Sequence, residues 1–191
     1  MGKIICTGLG PGDPDLMSVR ADRLVRAATH IAYFRKKGYE GQARRIVNGM
    51  LRADATEYAM DYPVTTEIPV SDPEYNRQLA AFYDGWAERL GDLAGTETVL
   101  VLCEGDPFFY GSFMYLFARL AKDFPCTVVP GVTSITASAA ALRRPLSARN
   151  EVVKVLPATL PEDRLREELM TTESAAIIKV GRHFDRIRDL L

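Results

Sequence analysis

Two periodicities alternate along this chain, and that alternation narrows the fold more than any single residue does. Short runs rich in apolar and β-branched residues occur at Lys3 to Thr7, His30 to Phe34, Ala55 to Ala59, Thr98 to Cys103 and Cys126 to Val129. Between them apolar residues recur at helical spacing. Ala21, Leu24, Val25 and Ala28 share one helix face, Ala43, Ile46, Val47, Met50 and Leu51 a second, and Tyr75, Leu79, Phe82, Tyr83, Trp86 and Leu90 a long third. Helices are also expected from about Gly111 to Lys122 and from Ser134 to Leu142. Parallel strands need a crossover between them, usually a helix, so this succession predicts an α/β fold with an open, parallel five-stranded sheet. Ser18 is placed to cap the first helix, and Pro73 fits the first turn of the long one. The stretch Asp61 to Pro73, rich in proline and threonine, is expected to be an irregular loop.

Beyond Arg143-Arg144-Pro145 the pattern restarts as a strand (Val152 to Leu156), a helix (Glu162 to Met170), a strand (Ala175 to Val180) and a terminal helix. The expected organisation is therefore an N-terminal domain over 1–144 and a C-terminal domain over 145–191. Two strands are marginal for an independent core, so the second domain reads as truncated, either leaning on the first or cut short.

The balance of 24 lysines and arginines against 25 aspartates and glutamates gives no global field to draw the protein to nucleic acid or to an anionic membrane. An anionic partner would have to be held by local charge. Cys6, Cys103 and Cys126 follow no zinc or disulfide spacing and read as reduced core thiols, and His30 and His183 have no ligand-like neighbours, so no metal site is expected. No apolar run approaches the ~20 residues of a membrane span, and the N-terminus lacks a secretory pattern, so a cytoplasmic location is expected.

The unusual residues cluster where such a sheet binds ligands, beyond the carboxyl ends of its strands. Gly8-Leu9-Gly10-Pro11-Gly12-Asp13 follows the first strand, Arg35-Lys36-Lys37-Gly38 the second, Glu104-Gly105-Asp106-Pro107 the fourth and Pro130-Gly131-Val132-Thr133-Ser134 the fifth. Each also has a plainer explanation. The first is G-x-G-P-G-D, which fails the G-x-G-x-x-G rule for a pyrophosphate turn and could be turn punctuation. The lysine-arginine run could be a solvated surface, or a cationic patch for an acidic substrate. Asp106-Pro107 could start a helix, or Gly105 could let the backbone approach a ligand, and Thr133-Ser134 could simply cap. Four such segments on one edge favour a ligand cleft. Without a G-x-x-x-x-G-K-[ST] or G-x-S-x-G motif, nucleotide and serine hydrolysis are disfavoured.

Taken in order and spacing, Gly8 to Pro14, Gly105-Asp106-Pro107 and Pro130 to Ser134 resemble the tetrapyrrole (corrin/porphyrin) methylases over nearly the whole chain. Tyr62-Pro63-Val64-Thr65-Thr66-Glu67 and Cys103 to Tyr115 resemble the branch of that family acting on precorrin-2. The resemblance implies two α/β domains, S-adenosylmethionine in the cleft between them, S-adenosylhomocysteine as product, and a homodimer. It implies that Gly105, Asp106, Pro107, Thr133 and Ser134 contact the cofactor, with Gly8, Gly10, Pro11, Gly12 and Asp13 lining the floor beside the tetrapyrrole. The substrate, precorrin-2, carries many carboxylates, and Arg20, Arg35, Lys36 and Lys37 are the cations expected to orient it. Its meso carbon is already nucleophilic, so positioning can supply most of the catalysis. Glu104 and Tyr110, with Asp106 and Tyr33 behind them, are candidates for the base that removes the remaining proton. A sibling methylase acting at another carbon, on a cobalt-containing substrate or on a protein, and a non-catalytic tetrapyrrole- or nucleotide-binding module, are the competing readings.

Overall fold

Every strand of the larger sheet is parallel to its neighbours. In the computed structural model, which describes residues 2–65, 67–69 and 72–191, the strands are β1 (Ile4–Gly8), β2 (His30–Lys36), β3 (Thr56–Tyr62), β4 (Val99–Cys103) and β5 (Cys126–Val129). Their order across the sheet is β3-β2-β4-β1-β5. The crossovers carry α1 (Val19–Ala27), α2 (Gln42–Ile46), α3 (Pro73–Ala94) and α4 (Phe113–Leu120). Ser18 caps α1 by accepting from Ala21 N at 3.1 Å, and Asp72 with Pro73 opens α3.

The sheet is buried on both faces, which is why its central strands read as unbroken apolar runs. Side chains alternate across the strands. Ile4, Cys6, Val101 and Cys103 pack under Tyr83 and Leu90 of α3 and Phe113 and Leu116 of α4. Ile5, Ile31, Leu100 and Leu102 pack under Val25 of α1 and Ala43 and Ile46 of α2. Leu116 is fully buried, so truncating it to alanine would cost about 2–5 kcal/mol.

Three boundaries differ from expectation. β2 continues through Arg35 and Lys36, because β3 runs on to Tyr62 and supplies Asp61 and Tyr62 as register partners. The irregular stretch therefore begins at Pro63, and Arg35 and Lys36 belong to the strand rather than to the loop after it. α2 ends at Ile46, with Gly49 in the left-handed region (φ +77°) after it. α4 starts at Phe113, because Gly111 is packed against the carbonyls of Asp106 and Pro107.

The chain divides into two compact units, one up to Ser134 and one over Ile135–Leu191. The second contains nearly all of α5 (Ser134–Leu142), then β6 (Val153–Pro157), α6 (Glu162–Met170), β7 (Ser174–Ile178) and α7 (Phe184–Leu190). β6 and β7 form a parallel two-stranded sheet. Leu156, Ala158, Leu165 and Ile187 make its small core. Arg186 ties the helix end of the sheet by donating to the carbonyls of Ala158 and Leu160. Among the described residues no helix is long and apolar enough to cross a membrane.

Candidate functional site

Three glycines from three loops meet at the carboxyl edge of the larger sheet. A Cβ on Gly131 would lie 2.1 Å from the Gly105 carbonyl oxygen, and one on Gly8 would lie 2.6 Å from both that oxygen and Gly131 N. Backbone therefore packs directly on backbone, and only glycine permits it at Gly8 and Gly131. Gly10 and Gly105 form an antiparallel bridge, with Gly105 N donating to Gly10 O at 2.7 Å and Gly10 N to Gly105 O at 3.3 Å. Gly105 differs from its two neighbours. A Cβ there would meet nothing within 4 Å, while its φ of +63° is the left-handed region that disfavours a side chain. Its Cα faces open space.

Asp106 locks this junction. Its Oδ2 accepts from Gly131 N and its Oδ1 from Phe108 N, both at 2.9 Å. The plain reading of Asp106-Pro107 as a helix start is thereby overturned, since the carboxylate closes a local turn and staples the β4 loop to the β5 loop. Beyond it Tyr110 sits at φ +56°, uncommon for a residue with a side chain. Thr133 is half-buried and Ser134, the first residue of α5, is exposed. Glu104 stays open to solvent on one side, yet the protein packed around it pushes its carboxyl above the usual range.

In the first loop Gly8 and Gly10 are buried, Pro11 and Gly12 half-buried and Asp13 exposed. Asp13 accepts from Asp15 N and opens a short 3-10 turn. The front of this loop is scaffold and only its tip faces outward.

A cavity of about 480 Å³ opens at the ends of β2 and β3, lined by Lys36, Lys37, Tyr62, Val64, Thr65 and Glu67 among others. Thr66, also part of the motif, lies outside the described residues. Strand alternation sends Arg35 and Lys36 to opposite faces, so the three cations do not form one patch. Arg35 pairs with Asp61 at 2.6 Å, Lys36 Nζ with Glu67 Oε1 at 2.8 Å, and Lys37 is an exposed cation on the cavity wall.

Tyr33 is buried in the core face under α2, where burial, and Glu57 after it, push its hydroxyl up from the ordinary tyrosine value. Sequence reasoning missed the hydroxyl pair between Tyr62 and Ser112 that links β3 to the start of α4. Burial pushes the Tyr62 hydroxyl far up, and the ring packs on Phe34 and Phe82. The pair's only signal was that Tyr62 and Ser112 both fall in the two motifs that resemble the precorrin-2 branch. Cys6 and Cys103 are buried with Sγ atoms 3.5 Å apart.

An open parallel sheet with its backbone-on-backbone loops gathered along one edge defines an α/β protein built to receive a small ligand there. More narrowly, the chain belongs to the tetrapyrrole (corrin/porphyrin) methylases, whose family model matches residues 3–191, and it is an enzyme of the methyltransferase class. It is 44% identical over 192 residues to a precorrin-2 C(20)-methyltransferase of Sinorhizobium sp, covering 100% of this chain and 78% of that one. It is 39% identical to the cobalamin biosynthesis protein CobIJ of Mycobacterium bovis, of whose length it spans 38%. A cobalt-precorrin-2 C(20)-methyltransferase of Salmonella typhimurium is 27% identical over 191 residues, 78% of its own length. Among solved structures the fold matches uroporphyrin-III C-methyl transferase of Thermus thermophilus complexed with S-adenyl homocysteine. The TM-score is 0.62 at 22% identity, over 99% of this chain and 71% of that one.

Proposed function

We propose that this chain transfers the methyl group of S-adenosylmethionine to carbon 20 of precorrin-2, giving precorrin-3A in cobalamin (vitamin B12) biosynthesis. The observation that carries this reading is the 44% identity along the whole chain to the Sinorhizobium sp enzyme. The metal-free substrate is favoured over its cobalt complex because identity to the Salmonella typhimurium relative, whose substrate carries cobalt, is only 27%.

The residues present suit the cofactor. Gly105 offers backbone with no protein atom within 4 Å of where its Cβ would be, as a cradle for a ligand requires. Gly105, Asp106 and Pro107, with Thr133 and Ser134, would hold it. Bound there, S-adenosylmethionine supplies a methyl group made electrophilic by its sulfonium sulfur. Asp106 keeps the β4 and β5 loops in register, so binding need not order them. Lys36 and Lys37 orient the substrate carboxylates from the cavity, while Arg35, on the opposite face, acts through Asp61. Pro11, Gly12 and Asp13 line the approach. Glu104, with its raised pKa, takes the proton left on the methylated carbon through its carboxylate, with Tyr110 as the second group in reach of that role. A homodimer in the cytoplasm is the assembled form we expect, the compartment in which thiols as close as Cys6 and Cys103 stay reduced.

The test is S-adenosylhomocysteine formation with precorrin-2 generated in situ, with cobalt-precorrin-2 in parallel and the methylated position located by NMR. Methylation at another carbon would transfer the assignment to a sibling activity. No turnover with either substrate would leave a binding protein.

A further inference from the structure

Glu67 makes a set of contacts that an exposed loop glutamate does not need for folding. Its Oε1 accepts from Lys36 Nζ at 2.8 Å, its Oε2 from Thr65 N at 2.7 Å, and both oxygens lie within reach of Thr65 Oγ1, at 3.3 and 3.0 Å. A lysine ammonium, a backbone N–H and a hydroxyl converging on one carboxylate form a carboxylate seat. The seat lies in the wall of the cavity at the ends of β2 and β3, on the edge that carries the glycine junction. The carboxylate filling it is tethered only two residues from one of its donors. Both members of the ion pair are about half exposed, with side-chain accessibilities of 45% for Lys36 and 53% for Glu67, so Glu67 is solvated as soon as it swings out. An exposed pair of this kind is easily exchanged.

We propose that Glu67 is a placeholder: its carboxylate occupies the seat formed by Lys36 and Thr65 and is displaced when a carboxylate of the tetrapyrrole substrate binds there. This rests on the polycarboxylate substrate proposed above and adds a specificity device to it. Glu67 holds the Lys36 ammonium at the cavity wall. A carboxylate is preferred over a neutral group in the seat, because a neutral oxygen can accept from Thr65 but brings no negative charge to Lys36. Lys37, beside the seat on the cavity wall, supplies the additional positive charge that draws an anionic substrate in. Exchange conserves charge at Lys36.

A residue that merely binds substrate or supports the loop would raise KM when altered, whereas a placeholder lowers it. Glu67→Gln, nearly the same shape without the charge, should lower KM for precorrin-2 by about two- to five-fold, with the S-adenosylhomocysteine Kd unchanged by calorimetry. In a Lys36→Met background the same substitution should have no further effect on KM, because the seat is gone. A raised or unaltered KM in Glu67→Gln, or an equal gain in both backgrounds, would overturn the placeholder role. Wild-type turnover of precorrin-2 in the same assay separates these outcomes from failure of the substrate assignment. Glu67→Ala serves as the second variant if Gln retains the Thr65 contacts, and it should give the same direction.

Discussion

Gly131→Ala is the substitution with the most defined cost. The added methyl would lie 2.1 Å from the Gly105 carbonyl oxygen, more than about 1 Å short of ordinary contact, and 2.9 Å from both Gly8 C and Gly8 Cα. Every atom it meets is backbone, so no rotamer change relieves it, and the β5 loop must move off β1 and β4. Overpacking of this kind costs about 1–3 kcal/mol. Separation of the loops also weakens the bond from Gly131 N to Asp106, a charge-assisted contact worth about 1.5–3 kcal/mol. Because partial relaxation trades one loss against the other, the expected total is about 2–4 kcal/mol. At roughly 2–4 °C per kcal/mol for a chain of this size, Tm should fall on the order of 10 °C. Differential scanning calorimetry would measure it, with titration of S-adenosylhomocysteine reporting the ligand edge. Gly105→Ala is the matched control. It meets no protein atom and incurs only the left-handed φ, about 1–2 kcal/mol. A Gly131→Ala protein with Tm unchanged within about 2 °C and unaltered affinity would refute the backbone-on-backbone junction.

Gly105→Leu should lose S-adenosylhomocysteine affinity well beyond Gly105→Ala while matching its stability to within about 1 kcal/mol, because both, unbranched at Cβ, meet the same left-handed φ and the extra bulk enters open space; equal affinities would place the cofactor elsewhere. Asp106→Asn removes an acceptor from Gly131 N or Phe108 N and should cost about 1.5–3 kcal/mol in chemical denaturation; an unchanged midpoint would show the staple to be dispensable. Thr7 is fully buried, and its Oγ1 has no hydrogen-bond partner among the described residues, so Thr7→Val should stabilise by about 1 kcal/mol, read as a rise in Tm. Burial raises the Glu104 pKa, so if its carboxylate is the base, kcat/KM should fall as pH drops through a value above the ordinary carboxylate range. That limb should vanish in Glu104→Gln, and a limb that persists would assign the proton transfer to another group.

The elements that could be read from sequence are those whose signal is local. Apolar runs marked β1 and β4, because strands covered on both faces have no polar side to alternate with. Ser18 and Pro73 marked helix starts because their effect acts within one turn. Arg35 and Lys36 were read as loop because cations at the end of a strand carry no strand signal of their own. Their place in β2 comes from Asp61 and Tyr62 across the register, which is long-range information. The carboxyl-edge loops were legible as a set, but the distinction among their glycines was not. Gly8 and Gly131 are excluded from bearing a side chain by one another, and Gly105 by its own φ. Composition cannot tell a glycine needed for protein contact from one needed at an open face. The same limit hid the pairing of Glu67, a loop residue, with Lys36 at the end of β2.

The division of work along this edge also explains why the first loop departs from the dinucleotide pattern. A pyrophosphate turn turns its backbone N–H groups toward a doubly charged ligand at a helix N-terminus, and its glycine spacing serves that approach. Here Leu9 N donates to Cys103 O and Gly10 N to Gly105 O, so those donors are used within the protein. Gly8 is buried against the β4 and β5 loops. The loop is spent on holding other loops, and it cannot also cradle a phosphate. At the same edge Lys36, the last residue of β2, and Lys37 after it line a cavity. In the proposed reading the backbone junction serves a ligand with little net charge, and the cavity one strand away, where Lys36 and Lys37 stand, serves a polycarboxylate. Separating them lets affinity for either partner be altered by substitution without disturbing the other, whereas one shared anion site would couple the two.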